Sequence, residues 1–447
     1  MGLKLYNTFN AKLEDFLPRG DIVRIYTCGL TVQSAPHVGH MRAYIVRDIL
    51  IRWLEYSGHK VKTVENFTDI DDKIIAKQKE LNKDWRVIGE ENISKYLQAC
   101  DKLNIRRADI YPRASQHVEE IIELIQKLIA KGYAYEKEGD VYFKVRSFSD
   151  YGRLSKKSID ELISGARIEP TEHKHDPLDF ALWKAAKPGE PYWISPWGKG
   201  RPGWHIECSA MSMRYLGESF DIHMGGEDLI FPHHENEIAQ ASAATGKEFA
   251  HYWLHNGWVT LSGEKMAKST GHYFLIEDLL REYRPNVIRL YLLKTQYRNQ
   301  IEFSRERLDE ANSAYDRIKI YLDKQKELPG EFEPLMLEEF TAAMNDDLNT
   351  PRALAVIFDL VTKGHETSEP ALAASVKHYL KVLGFKDETG KKDDLSPKLV
   401  QTIIDIRNEL RKEKNYRLSD EIRKKLSDIG VILDDTKESS SYRLEEK

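Results

Sequence analysis

Cys28 and the tetrapeptide HVGH at 37–40 lie within one short segment of the chain. A cysteine thiolate is a good ligand for a soft metal ion such as zinc. His37 and His40 precede a predicted helix, whose backbone N–H groups and dipole attract phosphate. Gly39 lacks a Cβ, so a nucleotide could approach the backbone closely. The segment predicts a site for a sulfur-bearing substrate beside a nucleotide; the alternative is a turn with two surface histidines.

Three residues elsewhere in the chain could share a metal ion with Cys28. Cys208 supplies a second thiolate, and His233 and Glu237 are four residues apart, so one helix would place them on the same face. Two thiolates, an imidazole and a carboxylate suit zinc better than magnesium or calcium. The four residues are widely scattered and contain no Cys-x-x-Cys pair. The alternative is therefore two small buried cysteines and a solvated helix face.

The segment KMAKS at 265–269 is the third candidate for chemistry. Two lysines, Lys265 and Lys268, lie between glycines at 263 and 271. A loop with such hinges could close over a departing pyrophosphate and neutralise the charge that grows in the transition state. A solvated, lysine-rich loop is the simpler alternative.

The elements around the first segment predict a parallel sheet. Residues 22–27 are β-favouring, residues 41–56 carry apolar side chains at helical spacing, and residues 60–65 form a second predicted strand. Strand, helix and strand in this order make a βαβ unit. No G-x-G-x-x-G follows the first strand, so an ordinary dinucleotide-binding fold lacks its fingerprint.

The remaining pattern predicts that this sheet domain is interrupted. An amphipathic helix is predicted at 112–134, a loop-rich insertion includes 140–145 and 187–203, and sheet pattern returns at 220–223 and 252–261. Residues 301–383 are predicted to be almost entirely helical. Two further helices follow from residue 396, the second at 418–429, with a short strand at 431–433. The expected domains are two catalytic halves at 1–115 and 200–258, an inserted module at 116–199, a lysine-loop region at 259–310, a helical bundle at 311–385 and a small domain at 395–447.

Composition limits the classes of protein that fit. A chain of 447 residues is long enough for two to four domains. Its net charge of −5 argues against indiscriminate nucleic-acid binding, although a local basic face could still bind RNA. Three cysteines, no export signal and no membrane-spanning run predict reduced thiols, a cytoplasmic location and no membrane partner.

Taken together, these segments resemble a known family. HVGH at 37–40 and KMAKS at 265–269 are similar to the HIGH and KMSKS signatures of class I aminoacyl-tRNA synthetases, with one departure in each. CGLTV at 28–32, NFTDIDDK at 66–73, GRPGWHIECSAM at 200–211 and FPHHENEIAQ at 231–240 resemble the cysteine-specific members more closely. The resemblance covers nearly the whole chain. Ala267 replaces the usual serine, and Met41 stands where a small residue is common.

The resemblance implies an α/β fold: a Rossmann-like catalytic domain split by an insertion, then a helical bundle and a small anticodon-binding domain. It implies that cysteine is activated with ATP to cysteinyl-adenylate and transferred to cysteine tRNA by a monomer with one Zn²⁺ per chain and Mg²⁺ with ATP. Four protein ligands usually mark a closed structural zinc site. In the family, however, the substrate thiolate adds a further ligand, and the zinc thereby selects cysteine over serine.

The resemblance also assigns roles to individual residues. The implied metal ligands are Cys28, Cys208, His233 and Glu237. The implied substrate pocket is formed by Gly29, Thr68, Trp204, Asp228 and His234, with Asp228 facing the ammonium group and His234 either lining the pocket or serving the structure. The implied ATP site is formed by His37, Gly39, His40, Lys265 and Lys268. Arg407, Arg411, Lys412, Lys414 and Arg417 form a local basic stretch that suits RNA phosphates, with a solvated helix face as the alternative. Tyr442 lies where the family often has tryptophan and could stack on a base.

Three other functions remain open at this stage. A ligase that joins activated cysteine to an amino sugar would share the catalytic features but would not need residues beyond 396. A zinc hydrolase would use Glu235 or Glu237 as its base, leaving KMAKS without a role. A non-catalytic zinc-containing RNA-binding protein would have no use for a phosphate-binding turn beside a metal ligand.

Overall fold

A computed structural model describes residues 2–158, 161, 174–261, 263–266, 273–325, 332–367, 369–388, 396–428, 431–435 and 440–444. The chain forms two compact units, Met1–Asp387 and Glu388–Lys447. Among the described residues, no helix is long and apolar enough to cross a bilayer.

The elements are numbered in chain order. The strands are β1 (Lys4–Asn7), β2 (Lys12–Asp15), β3 (Ile22–Thr27), β4 (Lys60–Glu65), β5 (Ala134–Lys137), β6 (Asp140–Phe143), β7 (Phe180–Ala185), β8 (Trp193–Ser195), β9 (Gly198–Pro202), β10 (Phe220–Gly226), β11 (Ala250–Asn256), β12 (Val259–Leu261), β13 (Glu264–Lys265), β14 (Ile301–Glu302), β15 (Val431–Asp435) and β16 (Ser440–Leu444). The α-helices are α1 (Val38–Tyr56), α2 (Asp72–Leu81), α3 (Trp85–Lys102), α4 (Val118–Ala130), α5 (Trp204–Leu216), α6 (Glu235–Thr245), α7 (Ile276–Glu282), α8 (Pro285–Leu293), α9 (Arg305–Lys324), α10 (Glu338–Asn345), α11 (Thr350–Thr367), α12 (Pro370–Val382), α13 (Ser396–Lys412) and α14 (Tyr416–Asp428).

A parallel sheet with the strand order β11-β10-β3-β4 forms the centre of the first unit. The predicted β3–α1–β4 unit is present, and α1 is mostly buried because it crosses from one strand to the next. The chain places β4 on one side of β3 and the later strands on the other. The order therefore reverses between β3 and β10, and ligands of open α/β sheets bind at such a point, beyond the carboxyl ends of the strands.

The inserted region is a sheet rather than a loop-rich module. Strands β5, β6, β7, β9 and β8 form an antiparallel sheet, which packs with α4 around its own apolar core. The prediction was wrong here because the strands have only three to six residues and one of them, β9, carries two glycines and a proline. Such strands become stable only through pairing, which a local pattern does not reveal.

The predicted strand at 252–261 is divided in two. β11 belongs to the parallel sheet, and after Gly257 and Trp258 the chain continues as β12 in a separate sheet with β13 and β14. The division falls at Gly257, whose backbone passes very close to the chain at Arg298. A Cβ on residue 257 would lie only 2.7 Å from the Arg298 carbonyl oxygen, so a glycine is needed there. The strand that carries Lys265 is thus paired directly with the segment that leaves the central sheet.

The second unit contains two helices and a hairpin. α13 and α14 pack with the antiparallel pair β15–β16 around a small core that includes Val400, Ile404 and Leu426. The two predicted helices are confirmed, and the short predicted strand is the first strand of the hairpin.

A buried ion cluster ties several parts of the first unit together. Asp48 of α1 accepts hydrogen bonds from Arg52 Nε (2.8 Å), from the backbone N–H of Arg106 (2.9 Å) and from Arg289 of α8. Arg289 also donates to the carbonyl of Leu383 (2.7 Å). Burial would raise the pKa of Asp48, but the two guanidinium groups outweigh it and hold the pKa below its ordinary value.

We expect Asp48→Asn to lower the free energy of unfolding by about 3 kcal/mol, because Arg289 is then buried without its counter-charge. Chemical denaturation at pH 7 measures this. The pKa of Asp48 is lowered in the folded state, so its contribution is complete at neutral pH and is lost only as the pH falls through that lowered value. Glu277→Gln, which breaks an exposed pair with Arg281, is the control and should cost about 0.5 kcal/mol or less. Equal losses in the two variants would contradict the assignment.

Candidate active site and metal centre

A cavity of about 780 Å³ opens where the order of the parallel strands reverses. Its lining comes from the segment after β3, the start of α1, α2, the start of α5, the turn after β10, and β12–β13. The HVGH segment, Lys265 and Met266 of KMAKS, and the Cys/His cluster therefore contribute to one cavity.

The four predicted metal ligands lie together in its floor. The sulfurs of Cys28 and Cys208 are 3.9 Å apart, and Cys28 Sγ is 3.4 Å from Glu237 Oε1. His233 Nε2 is 2.9 Å from the same carboxylate oxygen. All four side chains are buried, and their ligand atoms lie within 4.8 Å of one another. The chain brings these donors together from β3, α5 and the start of α6.

The donor set fits a tetrahedral zinc ion. With zinc–sulfur distances of about 2.3 Å, two thiolates of a tetrahedral site lie about 3.8 Å apart. The observed separation of the Cys28 and Cys208 sulfurs is 3.9 Å. Two sulfurs, one imidazole nitrogen and one carboxylate oxygen are also the donor types that zinc accepts, whereas calcium and magnesium prefer oxygen alone.

Electrostatics prepare part of this cluster for a cation. Burial raises the pKa of the Cys28 thiol well above its ordinary value. Burial acts in the same direction on Cys208, but the hydrogen bond from Cys28 outweighs it and lowers the pKa of Cys208. The carboxyl of Glu237 is buried as well, yet His223 and His233 lower its pKa to about 2. Burial would lower the pKa of His233, but Glu237 and Cys208 outweigh it and raise that pKa to about 10. A thiolate and a carboxylate thus face one point, and a metal ion bound there would replace the proton of the His233 imidazole, because metal ligands must be deprotonated.

Two histidines that the sequence did not identify as possible ligands complete a second set of donors. His223 Nε2 lies 2.8 Å from Glu237 Oε2, and His234 Nε2 lies 3.3 Å from Cys28 Sγ. These two histidines, Cys28 and Glu237 again lie within ligand distance of one another. His223 was missed because it is inside a buried strand, where a single histidine carries no spacing signal.

His234 is fully buried and does not line the cavity. Its Nδ1 is 2.7 Å from His255 Nε2, whose other nitrogen is 2.8 Å from Thr8 Oγ1. Burial lowers the pKa of His234 well below its ordinary value, and that of His255 to about 3. Of the two predicted alternatives for His234, the structural one agrees with these contacts.

The other predicted pocket residues surround the metal cluster. Trp204 is 37% exposed toward the cavity and stacks on His233 with ring centres 4.4 Å apart, so it is not ordinary core packing. Thr68 Oγ1 donates to Glu207 Oε2 (3.1 Å). Gly29 donates its N–H to Asn66 Oδ1, and a Cβ there would lie 1.5 Å from the Asn66 carbonyl oxygen. Only glycine permits that approach.

His37 and His40 form the start of α1, three residues earlier than predicted. Their rings stack with centres 3.5 Å apart, and the backbone N–H of His37 donates to His40 Nδ1 (3.2 Å). Both line the cavity beside Gly39, whose absent Cβ would lie 3.0 Å from the His37 ring. In the first helical turn, the N–H of Val38 donates to the Phe274 carbonyl (3.1 Å) and that of His40 to the His37 carbonyl (3.0 Å). The two imidazoles and the positive end of the helix dipole, rather than these N–H groups, are therefore what this wall offers to an anion.

Lys265 and Asp228 form an ion pair across the cavity. Lys265 Nζ lies 2.6 Å from Asp228 Oδ2 and also stands over the ring of Trp258, at 5.0 Å from its centre. Both side chains remain partly exposed. The predicted ammonium partner and one predicted phosphate-binding lysine therefore neutralise each other here. Lys268 and Ala267 lie outside the described residues.

Glu235 faces away from the metal cluster. Its carboxylate accepts hydrogen bonds from the backbone N–H groups of Gly152 (2.9 Å) and Ser155 (2.8 Å). It thus fixes a loop next to the inserted sheet. A hydrolase mechanism with Glu235 as the base does not agree with this position.

One predicted RNA-binding residue of the second unit is structural. Arg407 is buried, and its Nε donates to the carbonyl of Ser419 at 3.3 Å. Its inclusion in the basic surface was wrong. The sequence alone does not distinguish an arginine that packs against a neighbouring helix from one that is exposed to solvent. Arg411, Lys412, Lys414 and Arg417 are exposed, and Tyr442 is half-buried.

Two protein-family models match the chain. The model described as tRNA synthetases class I (C) catalytic domain matches residues 17–313, and the model described as DALR domain matches residues 339–385. Solved structures with low identity share the fold: Mycobacterium tuberculosis methionyl-tRNA synthetase (TM-score 0.58, 16% identity, 81% of this chain and 90% of that one) and a putative Campylobacter jejuni arginyl-tRNA synthetase (TM-score 0.53, 14% identity, 83% and 95%). The predicted fold class is confirmed.

Curated relatives are similar over the full length. The cysteine–tRNA ligase of Persephonella marina is 46% identical over 99% of this chain and 100% of its own length. That of Aquifex aeolicus is 45% identical over 100% of both chains, and that of Thermotoga maritima is 46% identical over 99% and 100%. This chain belongs to the cysteine–tRNA ligase family of class I aminoacyl-tRNA synthetases.

Proposed function

We propose that this enzyme activates L-cysteine with ATP to cysteinyl-adenylate and then transfers the cysteinyl group to the terminal ribose of cysteine tRNA. The observation that supports this most strongly is that one cavity is lined both by possible metal ligands and by possible phosphate-binding residues. A buried Cys/His/Glu cluster forms the floor, and the HVGH helix start and Lys265 form the walls. One part suits a thiol and the other a triphosphate.

In the first step, a carboxylate oxygen of cysteine attacks the α-phosphorus of ATP, and pyrophosphate leaves. The substrate supplies the nucleophile, so the protein mainly positions the reactants and neutralises charge. His37 and His40 would donate to the phosphates, and the positive end of the α1 dipole would add to the attraction. Lys265 and Lys268 would bind the β- and γ-phosphates, which arrive with Mg²⁺.

The Asp228–Lys265 pair has to open for both substrates to bind in this way. The cysteine ammonium would replace Lys265 as the partner of Asp228, and the phosphates would replace Asp228 as the partner of Lys265. Each charge exchanges one partner for another. The pair is 37–40% exposed, and such pairs contribute only about 0–1 kcal/mol. Opening it therefore costs little compared with the binding of a charged substrate.

Selection of cysteine over serine would depend on the metal cluster. Cys28, Cys208, His233 and Glu237 would hold the zinc ion, which accepts a thiolate far more readily than the harder, less acidic hydroxyl of serine. Trp204 would cover the amino acid from the side on which it stacks against His233. A site built around one specific bond rejects a close analogue strongly, so no separate editing domain is needed.

All these residues come from one chain, and the proposal needs one zinc ion and one chain per active site. The domain boundaries given above, with anticodon recognition at 395–447, stay a prediction. The amino-sugar ligase is less favoured than the synthetase, because the similarity to cysteine–tRNA ligases extends over the full chain.

Purified, zinc-loaded protein should exchange labelled pyrophosphate into ATP only when cysteine is present. It should also charge cysteine tRNA, with serine at least a thousandfold worse in kcat/KM by analogy with sites that bind one specific group. Absence of exchange would exclude adenylate formation. Exchange without charging of any tRNA would exclude the synthetase and favour the amino-sugar ligase.

We expect Cys208→Ser to lose most of its zinc and to bind cysteine more weakly, because a serine hydroxyl is a poor zinc ligand. Metal analysis and equilibrium binding of cysteine measure the two effects. Cys100→Ser is the matched control, since Cys100 is equally buried but belongs to the apolar core. Full zinc content in the Cys208 variant would remove this residue from the ligand set.

Lys265→Ala should lower kcat for pyrophosphate exchange about a hundredfold, because a charge donor to the transition state is lost. The Kd for cysteine should change much less, since Asp228 then remains available to the ammonium group. Lys247→Ala, which breaks an exposed pair with Glu218, controls for the general loss of a lysine. A large rise in the Kd for cysteine with unchanged kcat would contradict the phosphate role.

A further inference from the structure

Helix α2 forms a wall of the cavity that the proposed chemistry does not use. Lys73, Ala76, Lys77 and Glu80 all line the cavity. Their spacing of three and four residues puts them on one face of the helix. The wall thus carries two lysines and one glutamate, none of which is among the residues assigned to cysteine or ATP.

The charges on this wall do not cancel. Lys77 Nζ lies 2.6 Å from both carboxylate oxygens of Glu80, so this pair is neutral. Lys73 is exposed and has no carboxylate at ion-pair distance within the described part of the chain. An opposing charge close to it is the Asp71 carboxyl, on which it acts without forming an ion pair. One ammonium group without an ion-pair partner therefore lines this side of the cavity.

Neighbouring acidic residues are already bound elsewhere. Asp71 caps α2 by accepting the backbone N–H groups of Lys73 (2.8 Å) and Ile74 (3.0 Å). Asp72 turns toward the inserted sheet, where it contacts Lys184 (2.6 Å) and the mostly buried Arg201. These contacts hold α2 in place between the cavity and the inserted sheet, and the Lys73 side chain extends into the cavity without an ion pair of its own.

We propose that the α2 wall binds the phosphodiester that precedes the terminal nucleotide of the RNA acceptor, with Lys73 as the contact. This inference rests on the proposed function. In the second step the terminal ribose must reach the carbonyl carbon of the cysteinyl group, so the phosphodiester next to it enters the mouth of the same cavity. A phosphate in a cavity of low dielectric requires a counter-charge. The imidazoles of the ATP site stay beside the α-phosphate of the adenylate, which is still bound when transfer begins, whereas Lys73 lies on the α2 wall, outside the groups assigned to ATP.

The two half-reactions separate this role from ATP binding. Lys73→Ala should raise the KM for tRNA in charging about three- to tenfold and reduce the slope of log KM against log salt by about 0.7, which corresponds to one single-strand phosphate contact. Lys73→Glu should have a larger effect in the same direction. Pyrophosphate exchange, which needs no tRNA, should stay within about twofold of the unmodified enzyme and shows that the variants are folded.

Lys79→Ala is the matched control, because Lys79 is exposed on the same helix but does not line the cavity. It should leave both reactions and the salt slope unchanged. An equal loss in exchange and charging for Lys73→Ala would assign Lys73 to ATP and overturn the proposal. An unchanged KM and salt slope for tRNA would overturn it as well. If the unmodified enzyme shows no exchange, the proposed function itself fails, which is a separate outcome.

Discussion

The sulfurs of Cys28 and Cys208, which are 180 positions apart in the chain, lie 3.9 Å from each other. Much of the catalytic half is arranged around this contact. Cys28 follows β3 and Cys208 is on α5, which packs against β3 and β4. Both can reach one point because β3 is next to β10, where the order of the parallel strands reverses. The cavity exists at that position for the same reason. Metal cluster, amino-acid pocket and phosphate site are thus consequences of one strand arrangement.

The many polar side chains buried in the floor of the cavity need hydrogen-bond or ion-pair partners. A charged or polar side chain without a partner is strongly destabilising when buried. Here further histidines supply most of these partners: Glu237 contacts both His223 and His233, and His234 Nδ1 contacts His255. His223 Nδ1 is an exception, since it is buried without a hydrogen-bond partner. These outer histidines orient the inner donors, as the outer contacts of metal sites commonly do. The floor is therefore a network rather than four independent ligands.

The sequence predicted the local parts of this arrangement well. β3, α1 and β4 follow from periodicity, and the four-residue spacing of His233 and Glu237 predicts a shared face. The meeting of Cys28 with Cys208 came from residue types and from resemblance, not from any local pattern. The antiparallel sheet of the insertion was missed, because β6 and β7 are separated by 36 residues of chain and neither has a local pattern that predicts a strand. For a related reason, His223 was missed and Arg407 was wrongly placed on the surface: the burial of a side chain depends on long-range packing.

The charges around the cavity are paired in a way that depends on their depth. Deep in the floor, the histidine–carboxylate contacts of Glu237 are fully buried, where breaking a pair leaves a charge without water. Nearer the mouth, the Lys265–Asp228 and Lys77–Glu80 pairs are partly exposed and can open at small cost. Substrates that carry an ammonium group and several phosphates can bind only where the charged side chains are able to exchange their protein partner for the substrate. The deep pairs keep the donors of the metal cluster fixed, and the outer pairs keep the walls neutral until a charged substrate replaces one partner.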